Sequence, residues 1–279
     1  MKKISVAFNG LNFSDGTLKY AIELAVSAKA LLSGVFLDDF FYHKQPALEM
    51  LDNLGIQGVD LVQLQQQDDH IRKESIKNFD SACREKGINY VIHHDKSFAL
   101  DDLIKESIYS DLLVIGAGET FNHYEEVMPS AFIRNLLASV HCPVMVVPAK
   151  YQQPENIVLL YDGKLPSVFA IKMFDCVMPW IKEATTEVLS VRGIKDQLEL
   201  HEDLLVREFI TCHYPRAKYT VLRGDPEEQI PAYIKKLVPQ SIIVAGAYQR
   251  STVSRWLKTS MADILINELT MPVFIAHQK

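Results

Sequence analysis

The chain has 279 residues, of which 48% are hydrophobic and 23% are charged, and its formal net charge at pH 7 is −6. This composition excludes a mainly disordered chain, and the length is about twice the commonest domain size of roughly 100–150 residues. The negative charge argues against nucleic-acid binding, and no apolar run approaches the ~20 residues that span a bilayer.

The first half alternates short apolar runs with longer stretches of helical periodicity, which is typical of a parallel sheet with crossover helices. The predicted strands are Ile4–Phe8, Leu32–Leu37, Ile88–His93, Leu112–Ala117 and Val144–Val147. The predicted helices are Ser14–Leu31, Ile71–Lys86, Leu100–Ile108 and Pro129–Val140. Ser14 suits an N-cap, and Gly87 suits the end of the second helix. His93, His94 and Asp95 are interpreted as solvated residues at a strand end rather than a metal site, because neighbouring side chains on a strand point to opposite faces.

The second half repeats this order of elements. The predicted strands are Ile157–Tyr161, Glu187–Val191, Lys218–Leu222, Ser241–Gly246 and Val273–Ala276. The predicted helices are Pro166–Ile181, Asp196–His213, Pro226–Leu237 and Ser260–Leu269. Residues 149–155, which carry no periodicity, are interpreted as the linker between a first domain at 1–148 and a second at 156–279.

Paired residues show the repeat at two offsets along the chain. Asn9-Gly10 and Asp162-Gly163 follow the first strand of each half at an offset of 153, whereas Gly116-Ala117 and Gly246-Ala247 end the fourth strand at an offset of 130. The first half therefore carries about 23 extra residues, which fit an insert at 39–61 that is rich in aromatic and apolar residues. We expect an α/β protein of two tandem Rossmann-like domains, each a separate five-stranded parallel sheet flanked by helices.

The four cysteines, Cys83, Cys142, Cys176 and Cys212, are far apart and form no CxxC pair. This spacing indicates neither a disulfide framework nor a zinc knuckle, and we predict no metal site. Together with the lack of a recognisable signal peptide, it predicts a cytoplasmic protein.

The strand ends resemble those of the universal stress protein family in its tandem two-domain form. The resemblance spans both halves and rests on VAFNG and VLLYDG, on DLLVIGAG and SIIVAGAY, and on CPVMVVP and MPVFIAH. It implies a five-stranded parallel sheet in each domain. It also implies that the two halves pack as an intramolecular version of the family's dimer, with Val144–Val147 and Val273–Ala276 near the internal two-fold axis; a further homodimer stays open.

Nucleotide-binding members of this family carry the motif G-x2-G-x9-G-[ST] after the fourth strand and an Asp at the end of the first. Glycines let backbone amides approach phosphates, and a helix N-terminus favours an anion. Carried over, the resemblance implies an adenine-nucleotide site, for ATP or a relative, in the second half. Its residues are Asp162, Gly163, Val191, Gly246, Ala247, Gln249, Arg250 and Ser260, of which Gln249 stands where the family has glycine. Thr259 also replaces a motif glycine.

The corresponding site of the first half departs further from the motif. Its residues are Asn9, Gly10, Gly116, Glu119, Pro129 and Ser130. Asn9 replaces the acid, and Glu119 and Pro129 replace glycines. The following loop adds Glu125 and Glu126 and no cation, whereas the second loop carries Arg250, Arg255 and Lys258. Since carboxylates repel phosphates and these cations pair with them, we expect no triphosphate in the first half.

Structural explanations stand beside these functional ones. Ser260 and Asp263 fit a capping box, Pro129 fits the first position of a helix, and Gly116 and Gly246 fit tight turns. Three functions stay open: a regulatory stress protein that binds a nucleotide, a scaffold or interaction protein with another small or lipidic ligand and an unknown protein partner, and a slow nucleotide hydrolase. No acid–base constellation identifies a catalytic residue.

Overall fold

The computed structural model describes residues 1–37, 59–95, 99–120, 128–181, 183–194, 198–200, 202–237, 240–246, 261–268 and 270–276. The strands of the N-terminal half are β1 (Lys3–Asn9), β2 (Leu31–Leu37), β3 (Tyr90–Asp95), β4 (Leu112–Gly116) and β5 (Val144–Val147). Its helices are α1 (Asp15–Ala28), α2 (Val59–Glu85), α3 (Ala99–Ile108) and α4 (Ala131–Ser139).

The C-terminal half repeats this order. Its strands are β6 (Asn156–Leu160), β7 (Thr185–Arg192), β8 (Lys218–Arg223), β9 (Ser241–Gly246) and β10 (Val273–Ala276). Its helices are α5 (Leu165–Val177), α6 (Asp203–His213), α7 (Pro226–Ile234) and α8 (Met261–Glu268), and a 3-10 turn, Pro179–Ile181, follows α5. Residues 148–155 lie outside helices and strands, but the domain boundaries themselves remain a prediction.

Each half forms a five-stranded parallel sheet, as predicted. The strand order across the molecule is β3-β2-β1-β4-β5-β10-β9-β6-β7-β8, so the two halves are mirror-ordered about β5 and β10. The last strands pair antiparallel, with Phe274 opposite Met145 and Ile275 opposite Val144. The expectation of two separate sheets therefore needs a correction: each last strand would be an open edge, and pairing the two edges joins the sheets into one of ten strands.

Helices cover both faces of this sheet and bury two apolar clusters. Helices α1, α2, α5 and α6 cover one face, where Phe8, Phe36, Phe174 and Phe274 are almost fully buried. Helices α3, α4, α7 and α8 cover the other. The central strands are buried on both sides, which explains why they appear in the sequence as continuous apolar runs.

Several helix boundaries differ from the sequence prediction. Helix α2 begins at Val59 rather than Ile71, and α6 begins at Asp203 rather than Asp196. In α2 the polar, glutamine-rich residues before Ile71 hide the apolar periodicity, whereas the prediction for α6 began the helix too early. Helix α4 begins at Ala131 after Ser130, whose side chain accepts a hydrogen bond from the Ile133 N–H. Pro129 therefore precedes the N-cap and does not occupy the first helical position.

Two predicted helix ends are confirmed. The Ser14 side chain caps α1 by accepting a hydrogen bond from the Thr17 N–H. Gly87 follows α2 with a φ of +61°, a left-handed conformation that glycine adopts without a steric penalty.

Candidate functional site

A cleft is expected in each half where the strand order reverses, at the carboxyl ends of β1 and β4 and of β6 and β9. The structure places Asn9 at the end of β1 and Gly116 at the end of β4. Asp162 follows β6, and Gly246 ends β9. The sequence-predicted residues of each half therefore lie at the edge of the sheet where open α/β folds bind ligands.

Asn9 and Asp162 perform the same structural task. The Asn9 Oδ1 accepts a hydrogen bond from the Leu11 N–H at 3.1 Å, and the Asp162 Oδ1 accepts one from the Lys164 N–H at 3.0 Å. Both turns need one side-chain oxygen two residues before an amide, which asparagine and aspartate supply equally. The turn therefore does not explain why the second half carries a charged residue here.

In the N-terminal half, the Glu119 side chain fills the space beside Gly116. Glu119 is only 5% exposed, and its Cγ lies 3.5 Å from the point where a Cβ on Gly116 would stand. Burial raises the pKa of Glu119 to about 8, although a hydrogen bond with the backbone of Asn9 opposes this shift. At neutral pH the carboxyl group is therefore mostly protonated. It obstructs the cleft by occupying it, whereas the sequence argument relied on its negative charge.

The Ser130 hydroxyl already forms two hydrogen bonds with the backbone of the same half. It donates a hydrogen bond to the Glu119 carbonyl oxygen at 2.6 Å and accepts one from the Ile133 N–H at 3.2 Å. Ser130 is fully buried, and Pro129 before it is buried as well. A phosphate could reach this hydroxyl only after the Glu119 segment had moved.

Helix α2 closes the first cleft from the side of Gly10. A Cβ on Gly10 would stand 2.9 Å from the Arg72 Cγ, and the Ser75 hydroxyl donates a hydrogen bond to the Gly10 carbonyl oxygen at 2.8 Å. From the sequence, the insert at 39–61 fits a helical cover over this cleft, a partner surface or, more simply, packing against 71–86. Residues 38–58 lie outside the described residues, so the role of the insert stays open; the contacts with Gly10 come from Arg72 and Ser75, further along α2.

The second cleft has a different electrostatic character. The Asp162 carboxylate accepts a hydrogen bond from the Ser167 hydroxyl at 2.8 Å, and its second oxygen lies 3.5 Å from the Lys164 ammonium. The Asp162 side chain is 41% exposed. Gly163 has a φ of +79°, which favours glycine at this turn, and Val191 lies half-buried near the end of β7. A charged, accessible carboxylate therefore stands beside the N-terminus of α5.

Both retained glycines have a packing role. A Cβ on Gly246 would stand 2.5 Å from the backbone carbonyl of Pro166, and one on Gly116 would stand 2.9 Å from the Thr17 hydroxyl oxygen. Each glycine thus lets the end of the fourth strand approach the first turn of the helix that follows the first strand. This contact explains their presence without a ligand, and it replaces the tight turn that the sequence suggested.

The remaining predicted residues, Ala247, Gln249, Arg250 and Ser260, lie outside the described residues, as do the other loop cations, Arg255 and Lys258. Their part in the second cleft stays a prediction.

Among the described residues, no group of three His, Cys, Asp or Glu side chains could hold a metal ion. No helix in the described ranges is both long and apolar enough to cross a membrane.

A polar cluster beneath α3 was missed in the sequence. The Glu106 carboxylate lies 2.8 Å from the Lys3 ammonium, 2.9 Å from the Ser5 hydroxyl and 3.3 Å from the His93 Nδ1. His93 therefore turns toward a carboxylate on the neighbouring helix. Burial raises the pKa of Glu106, but the hydrogen bonds and charges of these neighbours outweigh burial and lower it overall. In the chain, Glu106 lies 103 positions from Lys3, 101 from Ser5 and 13 from His93, so no local sequence pattern indicates the cluster.

Comparison with known proteins supports the fold. No protein-family model and no curated protein matches the sequence. Among solved structures, the chain is similar to a universal stress protein from Archaeoglobus fulgidus DSM 4304, with 14% identity and a TM-score of 0.70 over 99% of this chain and 96% of that one. A protein described as a universal stress protein from Pseudomonas aeruginosa UCBPP-PA14 matches at 15% identity and a TM-score of 0.62, over 99% of this chain and 93% of that one. The resemblance to tandem universal stress proteins is thus confirmed at the level of the fold.

The same fold also occurs in a different setting. The cytoplasmic domain of a prokaryotic cation chloride cotransporter matches at 11% identity and a TM-score of 0.55, over 98% of this chain and 94% of that domain. A tandem fold of this kind therefore does not by itself identify a function, which has to be argued from the clefts.

Proposed function

We propose that this chain is a regulatory protein of the universal stress protein type that binds one adenine nucleotide, such as ATP, in its C-terminal half. The observation that carries the proposal is the contrast between the two clefts. Glu119 fills the first, whereas Asp162 leaves a partly exposed carboxylate at the equivalent edge of the second.

The nucleoside is assigned to Asp162. Its Oδ1 accepts hydrogen bonds from the Lys164 N–H and the Ser167 hydroxyl, while its Oδ2 lies 3.5 Å from the Lys164 ammonium and its side chain is 41% exposed. A carboxylate oxygen in this position can accept a hydrogen bond from a nucleoside donor. In the proposal, the amides of residues 247–250, Arg250 and the Ser260 hydroxyl hold the phosphates.

The proposal assigns no triphosphate to the N-terminal half. The buried Glu119 carboxyl, the engaged Ser130 hydroxyl and the Arg72 stem against Gly10 each occupy space that a nucleotide needs. The proposal also places the protein in the cytoplasm. The four free cysteines, of which Cys176 and Cys212 are exposed, support a reducing compartment.

The test is calorimetric titration of ATP into the whole chain and into the variant Asp162→Asn. Asparagine keeps the turn, as Asn9 does in the first half, but removes the charge. We expect one nucleotide per chain and about tenfold weaker binding for the variant, because a charge-assisted hydrogen bond contributes about 1.5–3 kcal/mol.

Asp225→Asn is the matched control. Asp225 also accepts a hydrogen bond from an amide two residues later, at 2.8 Å from the Glu227 nitrogen, and it caps α7 away from the cleft. This variant should bind ATP as the unaltered chain does. No heat with ATP, two equivalent sites, or equal affinity for Asp162→Asn would refute the assignment.

A scaffold function is the second candidate, and one observation favours it. Ile194, Leu204 and Leu205, which lie after β7 and at the start of α6, are 76%, 85% and 64% exposed. Exposed apolar side chains on neighbouring segments are typical of interaction surfaces. If ATP does not bind, an apolar ligand or a protein partner at this edge becomes the better proposal.

A further inference from the structure

A cleft between the two halves differs chemically from the two clefts at the strand ends. It has a volume of about 440 Å³ and is bounded by α1, the linker, and the segment that follows α5. Its floor consists of apolar residues, namely Leu24, Met145, Met178 and Ile242. Among the described residues that line it, none belongs to the candidate nucleotide clefts. The volume falls within the 300–1,000 Å³ usual for sites that bind small molecules.

Three aromatic rings form the walls of this interdomain cleft: Tyr20, Tyr151 and Trp180. The rings of Tyr20 and Tyr151 meet edge to face with their centroids 4.7 Å apart. The Tyr20 hydroxyl also accepts a hydrogen bond from the Gln152 N–H at 3.1 Å, which ties the linker to α1. The aromatic wall is therefore held in place by contacts between the first half and the linker.

The charged groups of the cleft are acidic. Glu23, Glu155 and Glu183 line it, and its described lining includes no Lys, Arg or His. Glu23 is paired with Lys86 at 3.3 Å, and Glu183 is paired with Arg216. Glu155 is exposed, and no ion pair within the described ranges involves it. One carboxylate thus remains available at the rim.

The Tyr151 ring already holds a cation. The Lys19 ammonium lies 4.9 Å from the ring centroid, within the range of a cation–π interaction. Burial, and to a smaller extent the nearby charge of Glu23, raises the pKa of Tyr151. A positive charge is therefore the complement that these walls fit.

We propose that the interdomain cleft binds a small organic cation, a protonated amine with an apolar or aromatic body. The body packs on the apolar floor and against the Tyr151 ring, and the ammonium lies between the Trp180 ring and the Glu155 carboxylate. Aromatic faces combined with a carboxylate are a recurrent way of recognising organic ammonium groups. Because both halves supply walls, such a ligand binds only to the paired arrangement of the halves.

The experiment is calorimetric titration of the whole chain, without nucleotide, with three probes of similar shape and different charge. The probes are 2-phenylethylammonium, neutral 2-phenylethanol and anionic 3-phenylpropionate. We expect the cation to bind at least tenfold more tightly than the alcohol and the anion not to bind. Equal binding of the three probes, or no binding of the cation, would overturn the proposal.

Matched variants locate the binding. Glu155→Gln should weaken binding of 2-phenylethylammonium about fivefold or more, whereas Glu208→Gln, the same change at an exposed position of α6, should leave it unchanged. Tyr151→Phe should retain the affinity because it keeps the ring, and Tyr151→Leu should lose it. Urea unfolding verifies that each variant is folded. If Tyr151→Leu fails to fold, the comparison of Glu155→Gln with Glu208→Gln tests the proposal. Unchanged affinity of Glu155→Gln for 2-phenylethylammonium would contradict it.

Discussion

At the scale of single residues, the Glu119 side chain occupies the cleft of the N-terminal half. Gly116 leaves room beside the end of β4, and the Glu119 side chain occupies that room together with the backbone of Asn9. Its sequence position indicates a lost glycine, but its burial could not be predicted, because that burial depends on contacts with Asn9 and Ser130, which are distant in the chain or across a loop. In the proposal, the residue excludes a phosphate group by occupying the space that the group would need.

The substitution Glu119→Gln tests this burial through the pH dependence of stability. The folded pKa of about 8 lies above the ordinary value of 4.5, so the folded chain retains a proton that the unfolded chain releases. The free energy of unfolding should therefore fall as pH rises from about 4.5 to 8, by up to about 1.4 kcal/mol per pH unit. Below that window the carboxyl group is protonated in both states and adds no slope.

Urea unfolding at several pH values between 5 and 8 measures this effect. The Glu119→Gln variant should lack the decline, so that it is the more stable protein at pH 8 by a few kcal/mol. Identical pH profiles for the two proteins would show that the carboxyl group is solvated and ionised.

At the scale of elements, the order of strands and helices follows from the sequence, whereas several contacts between them do not. Apolar and β-branched runs located β1–β10 to within two or three residues, most clearly for the central strands, which are buried on both faces. The start of α2 was missed because its first residues include a polar, glutamine-rich run, and the start of α6 was placed too early. The approach of β9 to α5 was missed too, because Gly246 resembles a phosphate-binding glycine in the sequence but packs against the Pro166 backbone.

Gly246→Ala tests whether this glycine is needed for packing. The added methyl would stand 2.5 Å from the Pro166 carbonyl, so either α5 or the end of β9 must shift. We expect a loss of about 1–3 kcal/mol in the free energy of unfolding, as for other overpacked sites. Gly118→Ala is the control, because nothing lies within 4 Å of its added Cβ, and its stability should change by less than about 0.5 kcal/mol. Equal stability of both variants in chemical denaturation would show that Gly246 has no packing role.

At the scale of the molecule, the two halves have equivalent positions in the fold but different polar residues at some of them. The register places Ser33 beside Ser5 in the first half and Glu187 beside Val158 in the second, so Ser33 and Glu187 are equivalent. In the second half the carboxylate on the strand bonds the hydroxyls of Thr220 and Tyr233, whereas in the first it comes from Glu106 on the helix. The sequence could predict the duplicated fold from its spacing. It could not predict whether the carboxylate that binds these hydroxyls would come from a strand, as Glu187 does, or from a helix, as Glu106 does, since that depends on long-range packing.

The pairing of β5 with β10 predicts how a separated half should behave. Residues 156–279 expressed alone would expose the backbone edge of β10, where Val273, Phe274 and Ile275 now lie opposite β5. An unpaired, apolar edge strand is a template for association, and the antiparallel seam could re-form between two copies of β10. Light scattering coupled to size exclusion should therefore find a dimer or larger species, and adding residues 1–148 should convert it into a complex of one copy of each half. A stable, monodisperse monomer of residues 156–279 would mean that the seam contributes little, and that each half completes its own core without the other.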